Sequence, residues 1–342
     1  MHSKFPPPSL ADLDRSSAAA FMALARIIQV APITLFLGAG VSESAGLPVW
    51  SELLRRICTV FFVHWEWQLN NAKRAKSLVP PRELSIAFWE SFSWTPFAQQ
   101  SADRFIQGSP LVAAQQIKNC VRDIDWRYLV NKSLYYGPGG IIRSPLFEAL
   151  ARLCAEPNAI QAVVNTNYDS LFARYLHEND VPFSVIWAAE CKCRVGSLPL
   201  YHPHGYVKLD GGPVAPIVLA EEDYLLHSNQ PYYWPNITQL SLLSRSTCIF
   251  LGHSLTDPNL RRLLRTSRGA SGPTHFALLP RSETASLEDQ MSLALFDRDL
   301  ASLGVRAIRF PRRHTGGDRY SRLSELVDLL VQIRNDPNSA WS

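Results

Sequence analysis

The segment from Thr34 to Trp50, TLFLGAGVSESAGLPVW, restricts the fold more than any other part of this sequence. Its short apolar start stops at Gly38-Ala39-Gly40, and a helical pattern begins after Pro48. A strand, a glycine turn and a helix start in this order let backbone N–H groups approach a phosphate, with the helix dipole assisting. We therefore predict that the turn binds the pyrophosphate of a dinucleotide.

The rest of the chain alternates apolar, β-branched segments with helical patterns. This alternation predicts an α/β fold with a doubly wound, mostly parallel, Rossmann-like sheet. Further strands are predicted at 159–167, 183–188, 198–205, 217–220, 247–254, 274–280 and 305–310.

The stretch from 70 to 150 has a different character. It is rich in Trp, is interrupted by Pro and contains no β-rich run, which predicts a helical insertion that roofs a cleft. We predict four parts: an N-terminal lead and helix (1–32), the first part of the Rossmann-like domain (33–69), the helical insertion (70–150), and the remainder of that domain with a C-terminal helix (151–342).

Composition excludes few classes of protein. The net charge is +4, from 34 basic and 30 acidic residues, which neither requires nor excludes an anionic ligand. The N-terminal stretch lacks the apolar core that a secretory signal needs, and no apolar run approaches the roughly 20 residues of a membrane span. Six cysteines are scattered, with only Cys191 and Cys193 close together, so they do not suggest a disulfide framework. We expect a cytoplasmic protein with reduced thiols and no membrane contact.

The glycine turn differs from the dehydrogenase fingerprint G-x-G-x-x-G, because Glu43 takes the place of the third glycine. No acidic residue follows about 20 residues later to bind a ribose hydroxyl, since that region is the apolar stretch 57–63. Hydride transfer is therefore poorly supported. For an isolated GAG, a simple tight turn is the alternative.

Polar residues at strand ends carry the most weight, because ligands of open α/β sheets bind at the carboxyl ends of strands. The first such segment is NTNYD, residues 165–169. Asp169 suits the cap of the following helix. Asn167 is expected to face the cleft, where its amide can bind a ribose hydroxyl or hold a water.

A second polar strand end is His202-Pro203-His204-Gly205. Alternate residues of an extended chain share a face, so both imidazoles can point the same way. A histidine at such a strand end suits acid–base chemistry near neutral pH. A purely structural role is the alternative for each.

A third is Gly252-His253-Ser254, followed by Asp257 and Pro258. Asp257 fits a helix N-cap and Pro258 the first helical residue. Capping accounts for those two residues and leaves Gly252 and Ser254 unexplained. We predict that Gly252 and Ser254 let a second helix N-terminus face the ligand.

In this order, the motifs GAGVSESAGLPVW, NTNYD, HPHG and GHS resemble those of the sirtuin family. They are similar to its glycine-rich NAD loop, its asparagine motif, its catalytic-histidine motif and its second nucleotide-contacting turn. The likeness spans roughly residues 33–265 and is greatest to the bacterial sirtuin-like branch of antiphage defence, such as Thoeris and the Argonaute-associated proteins. TNYD, Trp50 and the segment S-x-x-D-P-N-L are the shared features.

One departure separates this chain from the protein-deacylating sirtuins. Those enzymes carry a zinc module of two cysteine pairs after the catalytic histidine, whereas only Cys248 lies beyond His204 here. Four thiolates cannot be assembled from what remains, so no zinc and no other metal is expected. Deacylases build their peptide site beside that module, which puts peptide binding in doubt. Resemblance to the defence branch instead implies an NAD+ glycohydrolase, a hydrolase that depletes NAD in abortive infection.

The resemblance also implies roles for individual residues. His204 and Asn167 are the expected catalytic residues, with His204 as a base on water or on a ribose hydroxyl and Asn167 orienting the ribose or the water. For Asp169 the loop-holding role is favoured, and His202 and His253 are assigned to structure. The expected NAD-binding residues are Gly38, Ala39, Gly40, Ser42, Asp169, Gly252 and Ser254.

Three alternatives stay open: an NAD-dependent protein deacylase, a non-catalytic sensor of NAD or ADP-ribose, and a nucleic-acid-binding module. Basic clusters such as 73–82 are more typical of solvated surface, so direct nucleic-acid binding is not expected. Because constant NAD hydrolysis would be toxic, we expect control by homo-oligomer assembly or by an activating partner. The resemblance suggests a HerA-type ATPase or an Argonaute-type protein as that partner.

Overall fold

A computed structural model describes residues 10–71, 80–84, 93–137, 139–211, 216–269, 272–282, 286–312 and 319–336. The proline-containing lead, residues 1–9, and two parts of the predicted insertion, 72–79 and 85–92, lie outside the described residues.

The centre of the molecule is a sheet of seven parallel strands in the order β3-β4-β2-β1-β5-β6-β7. The strands are β1 (Ile33–Leu37), β2 (Ile160–Asn165), β3 (Phe183–Ile186), β4 (Leu198–Tyr201), β5 (Cys248–Leu251), β6 (His275–Arg281) and β7 (Val305–Pro311).

Helices connect and cover these strands, after a short 3₁₀ helix at Leu10–Asp12. They are α1 (Arg15–Val30), α2 (Ala39–Glu43), α3 (Trp50–Asn71), α4 (Pro96–Phe105), α5 (Pro110–Cys120), α6 (Asp123–Tyr135), α7 (Pro145–Ala155), α8 (Leu171–Glu178), α9 (Glu221–Asn229), α10 (Trp234–Arg245), α11 (Pro258–Ser267), α12 (Leu287–Ser302) and α13 (Ser321–Asn335).

Alternate side chains of the central strands enter two separate cores, one on each face of the sheet. In β1, Leu35 and Leu37 pack with α1, α7 and α13, whereas Phe36 packs with α10, α11 and α12. All five residues of β1 are buried. This arrangement confirms the predicted doubly wound α/β fold, and the sheet is parallel throughout.

Several helices begin with a signal that is visible in the sequence. A Ser, Thr or Asp side chain accepts a hydrogen bond from the first turn, and a proline takes the first helical position, where no N–H is needed. The four residue pairs are Thr95-Pro96, Ser109-Pro110, Ser144-Pro145 and Asp257-Pro258.

The strand predicted at 217–220 is wrong. Val218 donates one backbone hydrogen bond to the carbonyl of His204, and the segment then caps α9 at Ala220. The sequence analysis also did not identify the helices α9, α10 and α12. For α12 a signal existed, because Ser286 and Asp289 form a reciprocal capping box.

Helices α4 to α6 occupy the described part of the predicted insertion and pack against α3. The boundary predicted at residue 150 falls inside α7, so a division there would cut a continuous helix. The four-part division otherwise stays a prediction. None of the described helices is long and apolar enough to cross a membrane.

The strand order positions the site. Strand β1 lies between β2 and β5, and Leu37 is in register with both Asn165 and Leu251. The residues that follow these three strands therefore meet at one edge of the sheet. Because β2 and β5 lie on opposite sides of β1, the strand order reverses at β1. Open α/β sheets bind ligands at the carboxyl ends of the strands at such a point.

Candidate functional site

A cavity of about 770 Å³ opens at the carboxyl ends of β2, β1 and β5. The helical region contributes Leu111 and Leu134 to its wall, so α5 and α6 partly cover it. Every residue predicted to be catalytic or to bind NAD lines this cavity: Gly38, Ala39, Gly40, Ser42, Asn167, Asp169, His204, Gly252 and Ser254.

The glycine turn after β1 packs directly against the turn after β5, and this backbone contact is called the join below. The N–H of Gly38 donates to the carbonyl of Leu251 at 2.9 Å, and that of Gly40 donates to the carbonyl of Gly252 at 3.0 Å. A Cβ on Gly38 would lie 2.6 Å from the carbonyl oxygen of Gly252. Gly252 has a φ of +66°, and a Cβ there would lie 2.5 Å from the N atom of Val41. Close backbone packing therefore accounts for Gly252, which helix capping had left unexplained.

The same join engages two of the backbone groups that were predicted to contact a phosphate. The N–H groups of Gly38 and Gly40 already donate to carbonyl oxygens of the neighbouring turn, because the two turns pack directly on each other. They are therefore not available to a pyrophosphate in this arrangement. The predicted strand, turn and helix start are nevertheless present, with Gly38 as the N-cap of α2.

Asn167 is held at the cavity wall by one hydrogen bond of its side chain and two of its backbone. Its Nδ2 donates to the carbonyl of Gly38 at 2.9 Å, and its backbone N–H donates to Asn165 Oδ1 at 3.1 Å. His202 Nδ1 donates to its carbonyl at 3.0 Å. Because Nδ2 is engaged, the amide orientation is defined and Oδ1 is the group left to accept a hydrogen bond.

Asp169 is buried and links two helices. Its Oδ2 accepts a hydrogen bond from Ser42 Oγ at 2.6 Å, and its Oδ1 accepts one from the N–H of Leu171 at 3.0 Å. Burial raises the pKa of this carboxyl, and the two hydrogen bonds oppose that shift. Both oxygens are thus occupied by protein groups, in keeping with the favoured role of holding the loop.

The two histidines of HPHG face different surroundings. Strand β4 ends at Tyr201, and the N–H of Gly205 donates to the carbonyl of His202, so the segment is a turn rather than extended chain. The expected alternation of faces does not apply to a turn. His202 is buried against Tyr206, whereas His204 lines the cavity. Burial lowers the pKa of His202 to about 4, which suits the structural role assigned to it.

Of the two HPHG histidines, His204 is the one that lines the cavity. The packing around its ring lowers its pKa, while the negative charge of Asp257 and a hydrogen bond with the backbone of Thr166 oppose that shift. The direction favours the neutral imidazole at neutral pH. A neutral, partly enclosed imidazole beside a cavity can accept a proton.

Two further histidines lie close to His204. His227 of α9 packs edge-on against it, with ring centroids 5.3 Å apart, and His253 lines the cavity next to Gly38. Burial lowers the pKa of His227 to about 3 and that of His253 to about 4, so both are neutral at pH 7. His227 was not predicted, since the only sequence signal was its position one turn after Tyr224 on an unpredicted helix.

The opposite wall contains a polar link between α2 and the start of α13. Glu43 forms an ion pair with Arg319 and accepts a hydrogen bond from the hydroxyl of Tyr320. All three residues line the cavity. The carboxylate that replaces the third glycine of a dehydrogenase fingerprint is therefore engaged by protein groups.

The cysteines that bear on the zinc expectation are far apart in the fold. Cys191 and Cys193 lie between β3 and β4, whereas Cys248 is buried at the start of β5. Within the described ranges, no three or more His, Cys, Asp or Glu side chains are grouped so as to hold a metal ion.

The parallel sheet, with a cavity at the point where its strand order reverses, defines a Rossmann-like α/β protein. Residues 161–307 match the family model described as the SIR2-like domain. Defense-associated sirtuin 2 of Bacillus subtilis is 26% identical over 178 residues, covering 51% of this chain and 17% of that protein. These two matches confirm the predicted resemblance to sirtuin-like proteins of bacterial defence. The match spans well under two thirds of that relative's length.

Proposed function

We propose that this protein is an NAD+ glycohydrolase that cleaves NAD to nicotinamide and ADP-ribose. The observation that carries the proposal is the placement of Asn167 and His204 on one cavity, at the strand ends where a dinucleotide would lie. The SIR2-like domain match supports NAD as the substrate.

The reaction needs a base and an oriented water. When the bond between the anomeric carbon and the nicotinamide nitrogen breaks, its electron pair leaves with nicotinamide, which is then neutral. Asn167 Oδ1 is directed by the bond from Nδ2 to Gly38 and would accept a hydrogen bond from the attacking water or a ribose hydroxyl. His204 would take the proton of the water as its oxygen bonds to the anomeric carbon. Positioned acid–base groups of this kind contribute about 10² to 10⁴ in rate.

Binding of the dinucleotide would use those donor groups of the turns after β1 and β5 that are not engaged in the contact between the two turns. The N–H groups of Gly38 and Gly40 are engaged, so the pyrophosphate contacts are assigned to Ala39 at the first position of α2 and to the turn that carries Ser254. Ser254 is exposed, and its hydroxyl is within hydrogen-bond distance of Thr256 Oγ1, at 2.8 Å. We place the second nucleotide beyond β5, on the side away from His204.

The biological role proposed is that of an effector of antiviral defence that depletes cytoplasmic NAD. The support is the relative named Defense-associated sirtuin 2, of which this chain matches only a part. Control by a homo-oligomer, or by an activating protein such as a HerA-type ATPase or an Argonaute-type protein, belongs to the same proposal.

The test is release of nicotinamide and ADP-ribose from NAD by the purified protein, alone and with a candidate activator. His204→Ala and Asn167→Ala should each lower kcat by about 100-fold or more. Exposed residues outside the cavity provide matched controls, His177→Ala and Asn119→Ala, which should retain wild-type turnover.

Other outcomes point to the alternatives. Faster turnover of an acyl-lysine peptide than of NAD alone would identify a deacylase. Binding of NAD or ADP-ribose without turnover under any activating condition would identify a sensor. Full activity in both cavity variants would contradict the proposed roles of Asn167 and His204.

A further inference from the structure

Asp257 has more contacts than a helix cap requires. As the N-cap of α11, its Oδ1 accepts a hydrogen bond from the N–H of Asn259 at 2.9 Å. The same oxygen accepts a second hydrogen bond from the hydroxyl of Tyr224, which comes from α9. Capping alone is served equally well by Asn or Ser and needs no phenol from another helix.

The second carboxylate oxygen of Asp257 is left for other contacts, because none of the residues that the structure describes donates a hydrogen bond to Oδ2. Asp257 and Tyr224 line the same cavity as His204, and Asp257 is partly exposed to it. A charged oxygen is thereby kept at the cavity wall by a cap on one side and a phenol on the other.

The charge of Asp257 acts on three histidines, of which His227 is buried and His204 and His253 are partly exposed. It raises the proton affinity of His204, His227 and His253, against the opposite effect of burial. The groups facing His204 are His227 from α9, His253 after β5 and Asp257 at the start of α11, and the two neighbouring histidines are neutral at pH 7. Arg262 acts on His227. Asp257 is therefore the negative charge that opposes desolvation of the His204 ring.

We propose that Asp257 is the positioning residue for His204, with Tyr224 fixing its carboxylate so that it stabilises the imidazolium formed when His204 takes a proton. The catalytic consequence rests on the proposed function, whereas the electrostatic coupling of the two side chains does not. The sequence alone assigned Asp257 to capping, because the contact with Tyr224 joins residues 33 positions apart.

Asp257→Asn separates the two roles. Asparagine caps helices as well as aspartate does, so the free energy of unfolding should stay near the wild-type value at neutral pH. The proton-binding constant of His204, followed by NMR titration of its imidazole in the full chain, should fall roughly tenfold, because an opposite charge is lost. The acid limb of the pH profile of kcat for NAD should move to lower pH. The maximal kcat should fall about tenfold, with KM little changed, since a weaker base abstracts the proton less readily.

Asp14→Asn is the matched control. Asp14 is also an N-cap aspartate, receives the N–H of Ser17 at 2.9 Å and is absent from the cavity wall. It should leave the titration of His204 unchanged. Tyr224→Phe should shift the titration in the same direction as Asp257→Asn and by a smaller factor, because the carboxylate remains but is less fixed.

An unchanged His204 titration in Asp257→Asn would overturn the proposal, whatever the activity. Because NMR titration needs no turnover, a protein that does not hydrolyse NAD would refute the glycohydrolase while the titration still tests the coupling of Asp257 to His204. If an active Asp257→Asn protein kept the wild-type pH profile and kcat, Asp257 would have no role beyond capping α11.

Discussion

The N–H of Gly40 donates a hydrogen bond to the carbonyl of Gly252 at 3.0 Å, and this contact joins the glycine turn after β1 to the turn after β5. The two residues are 212 positions apart in the sequence. Their backbones approach so closely that a Cβ on Gly40 would lie 3.0 Å from the Cα of Gly252. The floor of the cavity is built from this backbone contact, and side chains project from it.

Gly252→Ala should destabilise the protein by about 1 to 3 kcal/mol, since the methyl group would meet the N atom of Val41 in a backbone conformation that L residues rarely adopt. Urea denaturation measures the change. Gly304→Ala is the matched control, because Gly304 also has a positive φ, +81°, but has open space where its Cβ would lie. Gly304→Ala should cost only about 1 kcal/mol. Equal costs for the two substitutions would mean that the close approach at Gly252 is unimportant.

Ser42→Ala should destabilise the protein by about 1 to 3 kcal/mol at pH 7, because the buried carboxylate of Asp169 loses its hydroxyl donor. The folded state already raises the pKa of Asp169 through burial, and loss of the donor raises it further. Loss of the donor destabilises the ionised form of Asp169. The difference in unfolding free energy between wild type and Ser42→Ala should therefore be largest above the pKa of Asp169 in the folded protein, and should shrink as the pH falls through that pKa. Unfolding of both proteins by urea at several pH values tests this. A deficit that grows on acidification would contradict the assignment.

His227→Leu should make the protein less sensitive to acid. His227 is buried, both its ring nitrogens are without a hydrogen-bond partner within the described part of the chain, and burial lowers its pKa to about 3. The unfolded chain therefore binds a proton below about pH 6.5 that the folded protein does not. Above about pH 6.5 the protonation of His227 does not lower the free energy of unfolding. Between that pH and pH 3 it lowers the free energy of unfolding by up to about 1.4 kcal/mol per pH unit.

The measurement is the free energy of unfolding at pH 7 and pH 5 for wild type, His227→Leu and His177→Leu. The difference between the two pH values should be smaller in His227→Leu than in wild type. His177 is exposed and serves as the control, so His177→Leu should keep the wild-type difference. An unaltered difference in His227→Leu would show that His227 is not a source of the acid sensitivity.

Tyr320→Phe should cost about 0.5 to 1.5 kcal/mol, because its hydroxyl donates to Glu43 across the cavity wall. The cost should be smaller in a Glu43→Gln background, where the acceptor is uncharged. A double-mutant cycle from urea denaturation gives the coupling. Tyr232→Phe, at a side chain that is 88% exposed, should have no effect. Additive effects of the Glu43 and Tyr320 substitutions would show that the contact contributes nothing in solution.

Much of this protein can be predicted from local sequence, because local rules produce local structure. The apolar run at Leu35, the glycine turn after it and the Ser, Thr or Asp followed by proline at four helix starts all act within a few residues. Parallel sheets bring their strand ends to one edge, so Asn167 and His204 could be placed at a common cleft from the sequence pattern.

Tertiary structure alone decided the contacts between distant segments. It showed that HPHG is a turn in which only His204 faces the cavity, and that the N–H groups of Gly38 and Gly40 serve the second turn. It also brought Tyr224 to Asp257 and His227 to His204. The physical reason is that these contacts depend on how β1, β5 and α9 pack together, and neither residue spacing nor periodicity encodes the distance between elements that are remote in the chain.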